Sequence, residues 1–167
     1  LDIDTNWAYV PTNAQGNLYN LGGIKTDGTL WMWGYNADGQ LGNGSNTNSL
    51  SPTGVSGITS GTFVSCGQSH TAILLNNGSV RTFGNGSLGQ LGNGSTINIW
   101  SPTQIGTSSW TSISAGQDHT LALRTDYGLF AWGGNASGQL GLNVPASTTN
   151  NRSSPTQIGT NSWTNVF

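Results

Sequence analysis

The sequence predicts an all-β chain of about three tandem repeats, the arrangement found in a β-propeller. Three observations predict this class: short motifs return in one order about every 50 residues, tight-turn dipeptides separate short β-rich runs, and no segment keeps a helical period. Repeats of roughly 40 to 50 residues with about four short strands each are typical of propeller blades. The expected architecture is therefore four-stranded antiparallel blades, about three of which are present.

Four markers recur in the same order. The strand-like motif ending in glycine occupies 30–34, 80–84 and 129–133. Gly-Gln-Leu-Gly follows it at 39–42, 89–92 and 138–141. Ser-Pro-Thr comes next at 51–53, 101–103 and 154–156. Gly-Gln-x-His-Thr occurs at 67–71 and 116–120. Agreement of four markers in one register is a strong sign of repeated structure.

Turn signals divide each repeat into strands. The β-rich runs 71–75 and 120–124 end in Asn77-Gly78 and in Asp126-Tyr127-Gly128, and the first copy has Asp27-Gly28. Asn-Gly and Asp-Gly supply the positive φ angles of tight hairpins. On the next strand, alternation places Trp33, Phe83 and Trp132 on one side and Met32, Thr82 and Ala131 on the other. Apolar or small residues on both sides predict a strand packed between neighbouring sheets.

The combined pattern resembles the regulator of chromosome condensation repeat. It reads Leu-Trp-x-Trp-Gly-x-Asn-x-x-Gly-Gln-Leu-Gly, then Ser-Pro-Thr, then Ala-Gly-x-x-His-Thr-x-Ala-Leu. The matching positions are Gly34, 39–42, His70, His119, Gly133 and 138–141. The resemblance implies a seven-bladed ring of four-stranded blades, and the best-known activity of the family is nucleotide exchange on a small nuclear GTPase, with chromatin binding. The first copy departs from the pattern, since Asn20 stands in place of the histidine.

Residues 1–167 are interpreted as one propeller segment, with repeats at approximately 7–62, 63–109 and 110–162. Three periods cannot close a seven-bladed ring, and an open arc would expose faces that blades bury against each other. We therefore predict that the chain is part of a longer polypeptide. A ring assembled from several chains is the alternative, so the neighbouring blades belong to the same chain or to a symmetry-related one.

Composition excludes several classes of partner. Only 6% of the residues are charged, and Lys and Arg together number four. Nucleic-acid affinity comes largely from basic residues, so no nucleic-acid partner is expected. No apolar run approaches the roughly 18 residues that cross a bilayer, so no membrane insertion is expected. Cys66 is the only cysteine, which excludes an intrachain disulfide.

No set of residues in the sequence indicates a catalytic site, so we expect no enzyme activity, no cofactor and no metal. His70 and His119, the only two histidines, are interpreted as residues that pin a turn within their own blade. The segment 36–39 resembles a calcium loop only faintly, because its counterparts Leu88 and Ser137 carry no carboxylate, and a structural turn is favoured. The Gly-Gln-Leu-Gly segments are interpreted as tight corners whose leucines fill the core. Cys66 is interpreted as a small buried residue.

The variable loops carry the candidate contact residues. Trp100 lies in a polar stretch where the other copies have Leu50 and Ser153, so it could stack on a sugar or anchor a protein partner. The alternative is that Trp100 packs on the next blade. The candidate partner or glycan contacts are Trp100, Asn98, Asn143, Asn150 and Arg152. Six Asn-x-Ser sequons, at positions 43, 77, 85, 93, 135 and 151, are interpreted as turns.

The neutral, turn-rich composition favours a non-enzymatic structural or attachment module of a microbial surface or virion (phage) protein. Its location would be extracellular, on the cell surface or in a virion, with a protein or glycan partner on that surface or within the particle. The alternatives are a glycan-binding, lectin-like propeller and a secreted enzyme inhibitor. Guanine-nucleotide exchange on a small GTPase is a further alternative, against which the small number of charged residues argues.

Overall fold

Three four-stranded antiparallel sheets make up the protein, seen in a computed structural model that describes residues 6–11 and 19–166. The first blade contains β1 (Trp7–Tyr9), β2 (Asn20–Lys25), β3 (Leu30–Gly34) and β4 (Ser49–Gly54). The second contains β5 (Gly61–Cys66), β6 (His70–Leu75), β7 (Val80–Gly84) and β8 (Ile99–Gln104). The third contains β9 (Trp110–Ala115), β10 (His119–Arg124), β11 (Leu129–Gly133) and β12 (Arg152–Gln157).

Each sheet pairs its strands in chain order, which is the topology of a propeller blade. The prediction of an all-β, partial propeller with three four-stranded blades is confirmed. A single short 3-10 helix, Thr148–Asn150, interrupts the strands of the described part of the chain. The first copy has a longer connection between Val10 and Asn20, and residues 12–18 of it lie outside the described residues.

The hairpins between the second and third strands form where the turn dipeptides predicted them. Gly28 and Gly78 have φ angles of 80° and 79°, and their amides donate to Lys25 O and Leu75 O. The third hairpin has the same length but differs in sequence, because Tyr127 stands at the position of Gly28 and Gly78. There Tyr127 takes the positive φ of 67°, and the Asp126 carboxylate accepts from the Gly128 amide. The side-chain bond supports a backbone conformation that a tyrosine rarely adopts.

The hydrophobic core lies between blades rather than within them. One cluster joins Ile24, Met32 and Leu41 of the first blade to Val64 and Phe83 of the second. A second cluster joins the second and third blades, and it includes Ala72, Val80, Trp110, Ile113 and Trp132. Each sheet therefore buries its apolar faces against its neighbours, as layered β proteins must.

Among the described residues, no further blade covers either outer face of the arc. We call the face of the first blade that points away from the second the leading face, which carries Leu21, Trp33 and Leu50. Leu50 is fully exposed and Trp33 is partly exposed, whereas Phe83 and Trp132, the counterparts of Trp33, are completely buried. The prediction that this strand is covered on both sides thus holds for the two later copies, while among the described residues no blade covers Trp33.

Candidate functional site

The most variable loops of the three blades lie along one edge, between the third and fourth strands. They comprise residues 35–48, 85–98 and 134–151, and we call this edge the loop face. An asparagine just before the fourth strand closes each loop. The side-chain oxygens of Asn48, Asn98 and Asn151 accept from the amides of Asn36, Gly86 and Asn135, at 2.9, 3.1 and 2.8 Å. The loops therefore start and end at fixed points.

A second asparagine fixes the interior of the first loop. The Asn36 side chain is completely buried, donates to Ser45 O and Thr47 O at 3.0 and 2.9 Å, and accepts from Leu41 N at 2.9 Å. Asn135 accepts from Leu140 N in the same way in the third loop. Because buried side-chain bonds to the backbone hold these loops, the loop face is pre-organised.

The Gly-Gln-Leu-Gly segments form the tight corners that the sequence predicts. The glutamine side chains of Gln40, Gln90 and Gln139 accept from the amides two residues earlier, each at 2.9 Å. Leu41, Leu91 and Leu140 are completely buried. The Asn36 carbonyl accepts from the Gly39 amide, so the segment 36–39 is a structural turn as predicted.

The structure places all five predicted contact residues in or beside the loop face, and three of them, Asn98, Asn150 and Arg152, bond within the protein. Asn98 donates to the Asp38 carboxylate of the first blade at 2.9 Å, in addition to closing its own loop. Asn150 donates to Pro145 O, and Arg152 donates to Asn150 O and Asn151 O. Asn143 has a φ of 53°, in the left-handed region that asparagine tolerates.

Trp100 keeps part of its aromatic ring exposed and available to a partner. It is 43% exposed, while its buried edge lies against Gly39 of the first blade. Its carbonyl accepts from the Gly44 amide at 2.8 Å, which ties the two blades together. Trp100 therefore packs on the preceding blade, whereas the packing alternative in the sequence interpretation placed it against the next one.

Two exposed tyrosines extend the loop face, and sequence reasoning missed them. Tyr19 and Tyr35 are 63% and 42% exposed, with ring centroids 6.3 Å apart in an edge-to-face arrangement. Tyr35 directly follows Gly34, where the other copies have Asn85 and Gly134. The sequence signal that could have identified Tyr35 is a large aromatic residue at a position where the other repeats have a small or polar one. Exposed aromatic side chains are typical anchors of protein interfaces.

His70 links its blade to the next one. His70 Nε2 lies 2.9 Å from Thr120 Oγ1 of the third blade, and Thr120 Oγ1 donates to Gln90 O at 2.9 Å. At the first interface Asn20 Nδ2 donates to Thr71 Oγ1 at 3.2 Å, and Thr71 Oγ1 donates to Gln40 O. The prediction that His70 pins a turn within its own blade is wrong, because its side-chain bond crosses the blade interface.

His70 is neutral in the folded protein. The single hydroxyl hydrogen of Thr120 points to Gln90 O, so His70 Nε2 must donate, and Nδ1 is left without a hydrogen or a partner. Burial, together with the nearby His119, lowers the pKa of His70 to about 3. A protonated imidazole would place a charge in the apolar contact between two blades, which is why the neutral form is favoured.

This burial predicts an acid-sensitive interface. The pKa of His70 in the folded protein, about 3, lies below its ordinary value of 6.5. The neutral His70 contact therefore contributes fully to stability above pH 6.5, and this contribution is lost as the pH falls from 6.5 toward 3. The free energy of unfolding should fall by about 1.4 kcal/mol per pH unit between about pH 6 and 4 from this group. His70→Asn, which copies Asn20, should remove that slope in urea titrations across this range. An unchanged slope in the variant would show that other groups carry the acid sensitivity.

Other candidate reactive groups are accounted for by packing. Cys66 is buried, and burial raises the pKa of its thiol to about 12. The reading of Cys66 as a small buried residue is confirmed. Within residues 6–11 and 19–166, no group of three or more His, Cys, Asp or Glu side chains could hold a metal ion. In the same residues, no helix is long and apolar enough to cross a membrane.

Four of the six Asn-x-Ser sequons form turns, as the sequence suggested, whereas the one at Asn151 leads into a strand. The Asn43, Asn77, Asn85 and Asn93 side chains each accept from the amide of the serine two residues later. Asn135 is almost completely buried. These bonds account for much of the neutral Asn, Gly and Ser content of the chain, because each repeat needs several such turns.

Comparisons with known proteins identify relatives of the whole repeat array. The family model for the regulator of chromosome condensation (RCC1) repeat matches residues 27–74, 77–123 and 128–166. The X-linked retinitis pigmentosa GTPase regulator homolog of Caenorhabditis elegans is 38% identical over 81 residues, which are 47% of this chain and 6% of the relative. The Protein RCC2 homolog of Danio rerio is 42% identical over 62 residues, or 36% of this chain and 12% of the relative.

Solved structures show the same fold. Prp20p from Saccharomyces cerevisiae, described with its binding to Gsp1p and histones, superposes with a TM-score of 0.80 at 18% identity. That match covers 93% of this chain and 39% of Prp20p. Human WBSCR16 superposes with a TM-score of 0.73 at 26% identity, covering 84% of this chain and 37% of WBSCR16. The chain thus spans well under half of each of these proteins.

These relatives correct the functional predictions. The hypothesis of a structural or attachment module of a microbial surface or virion is wrong, since the matching family is the regulator of chromosome condensation repeat and one relative is named as a homolog of a GTPase regulator. The predicted partner on a surface or within a particle is wrong for the same reason, as is the extracellular, cell-surface or virion location. The composition was misleading about the class of partner, because the neutral Asn, Gly and Ser residues form the turns and hydrogen bonds inside the loops. The relative from Caenorhabditis elegans is named as a GTPase regulator homolog, not as a classical enzyme.

Proposed function

Because this chain belongs to the regulator of chromosome condensation repeat family, we propose that it is a protein-binding propeller segment of a GTPase regulator. Its loop face would contact the GTPase through Trp100, Tyr19 and Tyr35, and the segment would act without catalytic side chains of its own. The observation that carries the proposal is the exposed aromatic set on pre-organised loops in a chain whose relatives include a GTPase regulator homolog.

Pre-organisation supports this role. Loops held by buried asparagine bonds lose little conformational freedom when a partner binds, so more of the contact energy appears as affinity. Trp100 and the tyrosines provide large aromatic surfaces, and such residues dominate the energy of many protein interfaces. Asn98 and Arg152 fit this picture as supports of the face, since their polar groups bond within the protein.

The opposite edge of the blades offers a matched control surface. Tyr127 in the hairpin of the third blade is 59% exposed, on the edge away from the loop face. It has the same chemistry as Tyr35 but lies outside the proposed contact. A substitution there tests whether loss of any exposed aromatic residue weakens binding.

The proposal is tested by measuring binding of the chain to Gsp1p, with which the binding of Prp20p is described, in GDP-loaded and nucleotide-free forms. We expect binding that Trp100→Ala and Tyr35→Ala each weaken by roughly tenfold or more, the effect typical of aromatic anchors. Tyr127→Ala should leave the affinity unchanged. Absence of binding to either form, or equal weakening by Tyr127→Ala, would refute the proposed site.

Charge supports histones as a second candidate partner. The chain has a net charge of -2, with six acidic and four basic residues, so a basic protein is a better electrostatic match than a nucleic acid. Prp20p is described as binding histones. Histone binding through charge should weaken steeply as salt rises, whereas contact through the aromatic residues of the loop face should not. A salt titration with each partner separates the two.

A further inference from the structure

One junction of the loop face brings a carboxylate beside an exposed aromatic ring. The Trp100 ring of the second blade lies against Gly39 of the first blade through Cγ and Cδ1 of its five-membered ring, and the residue remains 43% exposed. Asp38 directly precedes Gly39, and its carboxylate accepts from Asn98, two residues before Trp100. The carboxylate and the indole ring are therefore neighbours where the first two blades meet.

The Asp38 carboxylate is held in a fixed position. Asn98 Oδ1 accepts from the Gly86 amide at 3.1 Å, and Asn98 Nδ2 donates to Asp38 Oδ1 at 2.9 Å. Both ends of the Asn98 amide are thus used, which fixes its orientation. The Asp38 amide donates to Gln40 Oε1 at 2.9 Å, which fixes the backbone beneath the carboxylate. Asp38 forms no ion pair with the described residues, so its charge is available to a partner.

The corner itself needs neither the acid nor the ring. At the second junction, Leu88 and Ser153 stand at the positions of Asp38 and Trp100. Gly89 lies against the backbone of Ser153 there, and the corner keeps the same hydrogen bond to its glutamine. In the part of the chain that the structure describes, the first of these two junctions alone combines a carboxylate with an exposed aromatic ring.

A carboxylate beside an indole ring suits a cationic side chain, and arginine in particular. The face of a tryptophan ring attracts a cation, and a carboxylate forms charge-assisted hydrogen bonds with it. The planar guanidinium group of arginine can stack on a ring and donate hydrogen bonds in its own plane at the same time, whereas the lysine ammonium is a compact point charge. The net charge of -2 also favours a cationic group over an anionic one.

We infer that Asp38 and Trp100 together bind an arginine side chain of the protein partner. Its guanidinium group stacks on the exposed part of the Trp100 ring and donates to the Asp38 carboxylate, while Asn98 is a positioning residue that holds the carboxylate. This inference rests on the proposed function, which makes the loop face the contact surface, and it names the chemistry which that surface recognises. A single charge pair adds little salt dependence, so this contact remains distinguishable from histone binding through many charges.

The test uses small probes, so that it does not depend on the identity of the partner. The isotope-labelled chain is titrated at constant ionic strength with Nα-acetyl-arginine methylamide, with its lysine counterpart, and with its citrulline counterpart, which keeps the shape of arginine but carries no charge. The backbone amide NMR signal of Gly39 reports binding in every variant, and the indole N–H signal of Trp100 reports it wherever the ring is present.

Three variants identify the groups that bind the probe. Asp38→Asn removes the charge but keeps an acceptor for Asn98, and Trp100→Leu copies Leu50, the residue at the same position in the first blade. Asp118→Asn is the matched control. Asp118 is also half-buried, but it lies beside Gly134 and has no exposed tryptophan next to it.

We expect the arginine probe to shift both signals to saturation, the lysine probe to bind more weakly, and the citrulline probe to leave the signals unchanged. Asp38→Asn and Trp100→Leu should each weaken binding of the arginine probe by roughly threefold to fivefold, the effect of losing an exposed charge pair or cation–π contact. Asp118→Asn should leave binding unchanged. An arginine probe that shifts neither signal, equal binding of the citrulline or lysine probe, or equal weakening by Asp118→Asn would overturn the inference.

The same probes separate this inference from the proposed function. If the arginine probe binds at Trp100 but the chain does not bind Gsp1p, the proposed GTPase contact fails and the arginine site stands. If Gsp1p binds in a way that Trp100→Ala weakens, but the arginine probe does not bind, the proposed function stands and the arginine site is overturned.

Discussion

Replacement of Gly84 by alanine is expected to destabilise the protein by about 3 to 5 kcal/mol, since backbone strain and overpacking act together. Gly84 has a φ of 105°, and a Cβ atom there would lie 2.5 Å from Ser69 O and 2.8 Å from His70 Cα. These are backbone atoms at the start of the strand that bonds to the third blade. They cannot move without disturbing the His70 contact.

The matched control for Gly84→Ala is Gly106→Ala. Gly106 also has a positive φ, of 55°, but nothing lies within 4 Å of an added Cβ atom. That variant should cost about 1 to 2 kcal/mol, the strain of a left-handed residue alone. Urea denaturation of both variants measures the difference. Equal losses would mean that the close approach at Gly84 relaxes without cost.

Replacement of Trp132 by alanine is expected to cost about 3 to 5 kcal/mol, the range for large aromatic residues in cores. Trp132 is completely buried between the second and third blades, and its Nε1 donates to Gln90 O at 2.9 Å. The same carbonyl accepts from Thr120 Oγ1, so the substitution removes one of its two donors. The loss should appear as a lower urea midpoint for the whole protein.

Two further variants show whether the loss comes from packing or from the hydrogen bond. Trp132→Phe copies Phe83, the natural counterpart at the first interface, and should cost about half as much as alanine because it retains most of the buried ring. Trp163→Ala removes a partly exposed ring and should cost less than about 1 kcal/mol. If Trp132→Ala were no worse than Trp163→Ala, burial between blades would not be the main source of stability.

The fold could be predicted because its signals are local. Asp27-Gly28 and Asn77-Gly78 identify hairpins from two adjacent residues, and the repeated leucines of Gly-Gln-Leu-Gly mark core positions by their register. The predicted strands and tight corners therefore agree with the structure. Tyr127 shows the limit of such signals, since it takes the positive φ at the position of Gly28 and Gly78, beside a glycine that does not.

The bonds between blades could not be predicted, because they join residues about fifty positions apart. His70 was expected to bond near itself, and only the arrangement of blades brings Thr120 to it. Asn98, Asn150 and Arg152 were predicted as contact residues because they lie in or beside variable loops. Their side chains instead bond to neighbouring groups of the protein that the sequence does not identify. The functional prediction failed for a related reason: composition records how the turns are built and carries no information about what the loops bind.

Each loop of the loop face is anchored at its own two ends, by pairs such as Asn36 with Asn48 and Asn135 with Asn151. The third loop is longer than the others and holds the 3-10 helix, yet its closing bond is as short as theirs. Insertions between the anchors are therefore tolerated without disturbing the strands. In engineering terms, the part of the third loop between Gly141 and Asn151 is a replaceable cassette, because its side-chain bonds stay within its own blade.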